Sequence, residues 1–142
     1  MKITQLTEIT EEVLTAFKTL IQQLSPGRET PSRKDLEEII SDKNSSLFVA
    51  ITDNGEIAGT ITLLINRIPS GQIAWIEDVV VSKYFRGNGI GEKLTLFVID
   101  YVNKKGINEI NLTSNPGRVT ANKLYQKLGF AKRETNVYRL NL

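Results

Sequence analysis

Trp75-Ile76-Glu77-Asp78-Val79-Val80-Val81-Ser82-Lys83-Tyr84-Phe85-Arg86-Gly87-Asn88-Gly89-Ile90-Gly91 passes from an apolar strand, through a glycine-rich loop, into an amphipathic helix. Val79 to Val81 is a continuous β-branched run, the pattern of a strand covered on both faces. Beyond Gly91 the period changes: Leu94, Phe97, Val98, Tyr101 and Val102 recur at three- and four-residue steps and form one apolar face. A helix therefore begins at or near the glycines, and its first backbone N–H groups have no acceptor within the helix. A strand, a glycine loop and a helix start in that order make a natural cradle for phosphate.

The glycine spacing narrows the phosphate ligand. A dinucleotide fingerprint needs G-x-G-x-x-G, but after Gly87 and Gly89 the last glycine comes one position early, at Gly91, and Glu92 stands in the required place. A nucleotide P-loop needs Lys-Ser or Lys-Thr after the glycines, and neither pair follows. Composition excludes more. The chain of 142 residues has no cysteine and no histidine, so disulfide frameworks, thiolate or histidine metal sites and Ser-His-Asp or Cys-His catalysis are all ruled out. Any chemistry must run on carboxylates, tyrosine, lysine, hydroxyls or backbone. One domain is expected at this length. No stretch resembles a signal peptide or is apolar enough for a membrane span, so a soluble, cytoplasmic protein is expected.

A net charge of +2 and a sequence pI of about 8.9 do not demand nucleic acid, and no basic run is interleaved with aromatics. Local charge says more. Lys83, Arg86, Lys93, Arg118, Lys123 and Lys127 flank the two helices expected beside the loop. Singly each reads as part of a solvated face, whereas together they suit a polyanion.

Upstream of the quoted stretch, Ile3 to Leu6 reads as a short strand. Thr10-Glu11-Glu12 starts a helix whose stripe of Val13, Leu14, Phe17, Leu20, Ile21 and Leu24 ends at Ser25-Pro26-Gly27. Ser32 with Asp35 forms a capping box for a second helix. Leu47 to Ile51 and Ile57 to Ile65 read as strands joined through Asp53-Asn54-Gly55, a hairpin signal, and Pro69-Ser70-Gly71 turns the chain into Ile73 to Val81. Downstream, Lys104-Lys105-Gly106 stops the long helix. Ile107 to Thr113 reads as a strand reached by a right-handed parallel crossover. Ser114-Asn115-Pro116-Gly117 leads to a helix carrying Ala121, Leu124, Tyr125 and Leu128, and Tyr138, Leu140 and Leu142 alternate as a closing strand. The order defines a mixed α/β fold.

The loop resembles the acyl-coenzyme A signature of the GNAT N-acetyltransferase superfamily, Q/R-x-x-G-x-G/A, met by Arg86, Gly89 and Gly91. The strand Ile-Glu-Asp-Val-Val-Val before it is similar to that family too, most of all to its glucosamine-phosphate branch, over a segment too short to assign a substrate. A second signature resembles Arg118 to Phe130, where an Ala, a Leu-Tyr pair and a Gly-Phe step recur at this spacing. Two signatures in the right order cover Trp75 to Phe130.

The resemblance implies a GNAT-like fold: a central mixed sheet, flanked by helices, whose two parallel strands splay. Acetyl-coenzyme A would be the acyl donor, with its pantetheine arm in the gap on backbone groups of Val79 and Val81, and its pyrophosphate on Arg86, Gly87, Asn88, Gly89, Ile90 and Gly91. Asn115 would touch the pantetheine or cap its own turn. Glu77, or Asp78 beside it, would serve as the base, directly or through water. In a regular strand these two acids point to opposite faces, and a bulge would undo that parity. Glu77 also reads as a solvated or salt-bridged strand acid. Tyr125 would protonate the departing thiolate, although helical period alone places it in the core. The valine side chains read as core. An amine of ordinary pKa, about 10.4, is roughly 3 units from neutrality at pH 7, about 4 kcal/mol, which is the reason a base helps. The implied reaction is direct transfer of acetyl to a primary amine of a small molecule or peptide in a ternary complex. The alternative is a non-catalytic module that senses acyl-coenzyme A. No nucleic acid, membrane or metal partner is implied, and a homodimer is compatible with the resemblance.

Overall fold

A computed structural model describes all residues, 1–142. The order is β1 (Lys2–Gln5), α1 (Glu11–Leu24), α2 (Arg33–Ser41), β2 (Ser45–Ile51), β3 (Ile57–Ile68), β4 (Gly71–Val81), α3 (Ile90–Lys104), β5 (Ile110–Asn111) and α4 (Val119–Lys127). The strands form one sheet in the order β1-β2-β3-β4-β5, antiparallel up to β4 and parallel between β4 and β5. This is the expected mixed α/β fold.

Each helix starts where its caps dictate. Thr10 accepts from the Val13 amide at 3.2 Å, and Val13, Phe17 and Leu20 bury one stripe of α1. Ser32 and Asp35 complete a reciprocal capping box on α2, and the hydrogen bonds from Ser32 hold the Asp35 carboxyl below its ordinary pKa. Arg33 ties the two helix starts together by donating to the Ile9 carbonyl and to Glu11. In α3, Ile90, Leu94, Val98 and Val102 line the face that packs on the sheet, and each such aliphatic side chain contributes about 1.5–3 kcal/mol by leaving water.

The sheet separates two cores. On one face Phe48, Ile61, Leu63, Ala74 and Ile76 meet α3. On the other Leu47 and Val49 meet Ile9, Val13, Phe17 and Leu36 from α1 and its neighbours. Adjacent residues of β2 thus serve opposite cores, as the pleat requires.

The Asn-Gly hairpin forms where the sequence places it, with Ile51 paired to Ile57 and the Thr52 amide bonded to the Glu56 carbonyl at 2.8 Å. Two details depart from the sequence reading. The strand expected over Ile107 to Thr113 shrinks to Ile110–Asn111, paired only with Ala74 and Trp75. The closing strand does not form: from Ala131 to Leu142 every residue is exposed, and no backbone hydrogen bond reaches the segment. Alternation makes a strand only where the segment pairs with an edge, and here it pairs with none.

Candidate active site

The glycine loop lies between β4 and α3, as its position in the sequence requires. Gly87 and Gly89 take positive φ values of 82° and 73°, and Gly89 is the N-cap of α3. An L-residue with a Cβ is disfavoured in that conformation, which is the reason glycine stands at the mouth of the helix. The amides from Arg86 to Glu92 donate to no carbonyl or side chain of the protein. The loop is instead held through its carbonyls: Asn88 Nδ2 donates to the Phe85 carbonyl at 3.0 Å, and Thr95 Oγ1 donates to the Gly91 carbonyl at 2.8 Å. Donors face outward at a helix N-terminus while acceptors are tied down, the arrangement an anion needs.

Gly91 has ordinary helical geometry. A Cβ built on it would lie 3.7 Å from Leu124 and 3.7 Å from Val81, so α4 and β4 meet at the start of α3. Among the expected cations, Lys127 is committed to Glu92 at 3.0 Å, and Lys83 lies 5.2 Å over the Tyr84 ring. Lys93 stands in the first turn of α3, and Arg118 is the residue before α4.

Next to this cradle the sheet splays. β5 touches β4 only at Ala74 and Trp75, so from Ile76 to Val81 one side of β4 has no strand against it. On the other side Thr60 is opposite Val80, and the Ser82 amide bonds to the Ala58 carbonyl at 2.8 Å. Antiparallel pairs alternate, so Val79 and Val81 turn their backbone groups toward the gap. One of these is occupied: Arg86 Nε donates to the Val81 carbonyl at 3.1 Å.

A bulge orients the acids. Thr62 is opposite Glu77 and Thr60 opposite Val80, so two steps on β3 face three on β4. Asp78 sits in the bulge with φ 46°, the one positive φ in the chain outside glycine. Glu77 therefore shares the α1/α2 face with Val80, through the Leu47–Thr62 and Val49–Thr60 pairs, while Val79 and Val81 pack against the α3 core. Partial desolvation, then the charge of Asp78, raises the pKa of Glu77 above the ordinary value for a glutamate.

Tyr125 is the one buried residue of α4, and its ring meets Phe130 edge-on with centroids 5.8 Å apart. Burial pushes its phenol up, partly opposed by Arg118. Asn115 caps its own turn: its Oδ1 accepts from the Gly117 amide at 2.8 Å, and its carbonyl accepts from Asn122 Nδ2 at 2.9 Å. No cluster of acidic side chains able to hold a metal ion is present, and no helix is long and apolar enough to cross a membrane.

The splayed parallel pair lies beside the amide-lined helix start, and residues 8–130 match the Acetyltransferase (GNAT) family. The chain belongs to that family. It is 32% identical over 75% of its length to the mycothiol acetyltransferase of Renibacterium salmoninarum, spanning only 33% of that longer protein. It is 25% identical over 86% of its length, and 88% of the relative's, to an aminoglycoside N(6')-acetyltransferase type 1 of Salmonella typhimurium. Among solved structures it superposes on AAC(6')-Iy, in complex with the bisubstrate analog CoA-S-monomethyl-acetylneamine, with a TM-score of 0.78 and 26% identity, covering 99% of this chain and 97% of that one.

Proposed function

We propose that this protein transfers an acetyl group from acetyl-coenzyme A directly to a primary amine of a small molecule or peptide within a ternary complex. The observation that carries the reading is the row of unpartnered amides from Arg86 to Glu92 opening beside the splay of β4 and β5. The pyrophosphate seats on those amides, and the pantetheine runs along Val79 and the Val81 amide. The thioester then lies near Glu77. Asn115 contributes through its Nδ2, since its Oδ1 belongs to the turn.

Glu77 faces α1 and α2, so the amine approaches from that side of the sheet while the coenzyme enters from the α3 side. The carboxylate takes the ammonium proton, directly or through water, and the neutral nitrogen attacks the thioester carbonyl. The new C–N bond forms and the C–S bond breaks; the departing thiolate takes a proton from Tyr125, and the second proton of the acylated nitrogen, passed through water, restores that phenol. Its raised pKa keeps that phenol protonated until the thiolate forms. Alignment of the two substrates supplies the larger share, about 7–11 kcal/mol, against roughly 3–5 kcal/mol from the acid and base.

The names of the relatives support amines on small molecules, aminoglycosides among them, as the acceptor class. The test is release of coenzyme A thiol with a panel of sugar amines, aminoglycosides, polyamines and peptide N-termini. Turnover with at least one amine is expected. Tight coenzyme binding with no turnover across the panel would instead assign the chain as a sensor of acyl-coenzyme A.

A further inference from the structure

A groove of about 470 Å³ runs between the second half of α1 and the segment that leaves β4. Lys18, Gln22, Gln23, Thr30, Lys83 and Tyr84 stand in its walls, and no carboxylate does. None of the salt bridges of the chain uses Lys18 or Lys83. Because α1 turns Val13, Phe17 and Leu20 toward the core, Lys18 and Gln22, one turn apart, share a side that stays outside it. The groove is therefore lined by positive charge that the protein itself does not neutralise.

Side chains fasten its walls. Gln23 Oε1 accepts from the Lys83 amide at 2.9 Å, which ties the exit of β4 to α1. Gln22 Nε2 donates to the Arg28 carbonyl at 2.9 Å, which holds the connection between α1 and α2 against the same helix. Lys83 Nζ lies 5.2 Å over the ring of Tyr84, a residue 76% exposed, so the ammonium rests on an aromatic face and keeps its charge available to a ligand.

The donors define what fits. Two ammonium groups, the Thr30 and Tyr84 hydroxyls and the Gln23 amide nitrogen line one groove. A phosphate monoester, with a charge of about −1.5 to −2 and three strong acceptor oxygens, matches that set, whereas a carboxylate brings half the charge and a cation is repelled. The groove also shares the α1 side of the sheet with Glu77, away from the α3 side by which the coenzyme enters. From Glu77 to the end of β4 at Val81 the strand rises about 3.3 Å per residue, which sets the groove roughly 10–20 Å from the carboxylate.

We propose that this groove is a phosphate subsite of the acceptor, so that the molecule acetylated carries a phosphate monoester roughly 10–20 Å from its amine. That the ligand is an acceptor rests on the acetyl-transfer reading; that the groove takes an anion does not.

The test has a catalytic arm and a binding arm. Acetyl transfer to 8-aminooctyl phosphate is compared with transfer to 8-aminooctanol, and transfer to 2-aminoethyl phosphate, too short to reach the groove, with transfer to 2-aminoethanol. At low ionic strength kcat/KM for the octyl phosphate should exceed that for its alcohol by about 10–100-fold through KM, and the advantage should shrink with added salt. The short pair should show no such gap. In the double variant Lys18→Gln, Lys83→Gln the octyl ratio should fall toward one, and any shared loss of folding or coenzyme affinity cancels in that ratio. A parent ratio near one, or a ratio that survives the double substitution, would overturn the proposal. In the binding arm, ¹⁵N–¹H spectra of the protein saturated with coenzyme A are recorded during titration with 8-aminooctyl phosphate. Saturable shifts at the Lys83 and Tyr84 amides and the Gln23 side-chain amide are expected. Those shifts without turnover of any amine would uphold the anion site and sink acetyl transfer, whereas unmoved signals would overturn the site itself. A double variant that weakens coenzyme A but not dephospho-coenzyme A would assign the groove to the coenzyme's own phosphate and overturn the proposal equally.

Discussion

Gly89 separates the cradle from its alternatives, because three substitutions there act through different terms. A Cβ at Gly89 meets nothing within 4 Å, so Gly89→Ala carries no clash and costs only what a φ of 73° imposes on an L-residue. That is about 1–2 kcal/mol, less about 0.4–1 kcal/mol returned by the stiffer unfolded chain. The net is about 1 kcal/mol, or a fall in Tm of roughly 3 °C for a chain of this size. Coenzyme binding should weaken less than about tenfold, since the amides remain. Gly89→Gln adds bulk over the same amides, and Gly89→Glu adds the same bulk with a negative charge. A carboxylate about 5 Å from the diphosphate, at an effective dielectric of about 20, repels it by about 3 kcal/mol, on the order of a hundredfold in Kd beyond the glutamine variant. Isothermal calorimetry with acetyl-coenzyme A, at matched ionic strength, gives the three constants. Equal Kd values for the glutamine and glutamate variants would refute the placement of the phosphates. A glutamate variant that binds as tightly as the parent would refute the cradle itself.

Glu77→Gln should lower kcat by about 10²–10⁴-fold and leave the Kd for acetyl-coenzyme A unchanged. In the parent the rate rises with pH as Glu77 ionises, at a pKa above the ordinary glutamate value, and the variant should lose that limb. The folded state holds this proton more tightly than the unfolded chain, so stability falls as pH rises through the folded pKa. Glu77→Gln should therefore melt slightly higher than the parent at pH 7, as thermal scans at pH 5 and pH 7 would reveal. Tyr125→Phe should lower kcat while sparing coenzyme binding, and the loss should shrink with a thioester whose leaving thiol is more acidic; a uniform loss across thioesters would speak for a packing role. Gly91→Ala should be tolerated, with binding within about threefold of the parent, because its Cβ meets Val81 and Leu124 at ordinary contact distance.

Local signals carried most of the architecture. The caps at Thr10 and Ser32, the helical stripe through Leu94, Val98 and Val102, and the glycine punctuation at Gly87 and Gly89 are written in adjacent residues and appear in the structure as read. The bulge is different. Nothing in Glu77-Asp78-Val79 distinguishes a bulge from a regular strand, and only the opposing register of Thr60 and Thr62 reveals it. Its consequence is chemical, because it sets Glu77 and Val80 on one face and turns Val79 to the other. The shortness of β5 was also hidden, since Ile110 and Leu112 satisfy a strand pattern whether or not β4 runs alongside them. The exposed tail carries a strand pattern for the same reason, although no backbone hydrogen bond reaches it. Lys127 suited a polyanion in sequence, yet in space it neutralises Glu92, a pairing between residues 35 apart that no local pattern announces.

Backbone ¹⁵N–¹H spectra recorded during titration with acetyl-coenzyme A test the phosphate cradle most directly. Saturable shifts concentrated on the amides of Arg86 to Glu92, lost when dephosphorylated pantetheine replaces the coenzyme, are predicted. Saturable binding that leaves those amides unmoved would contradict the account.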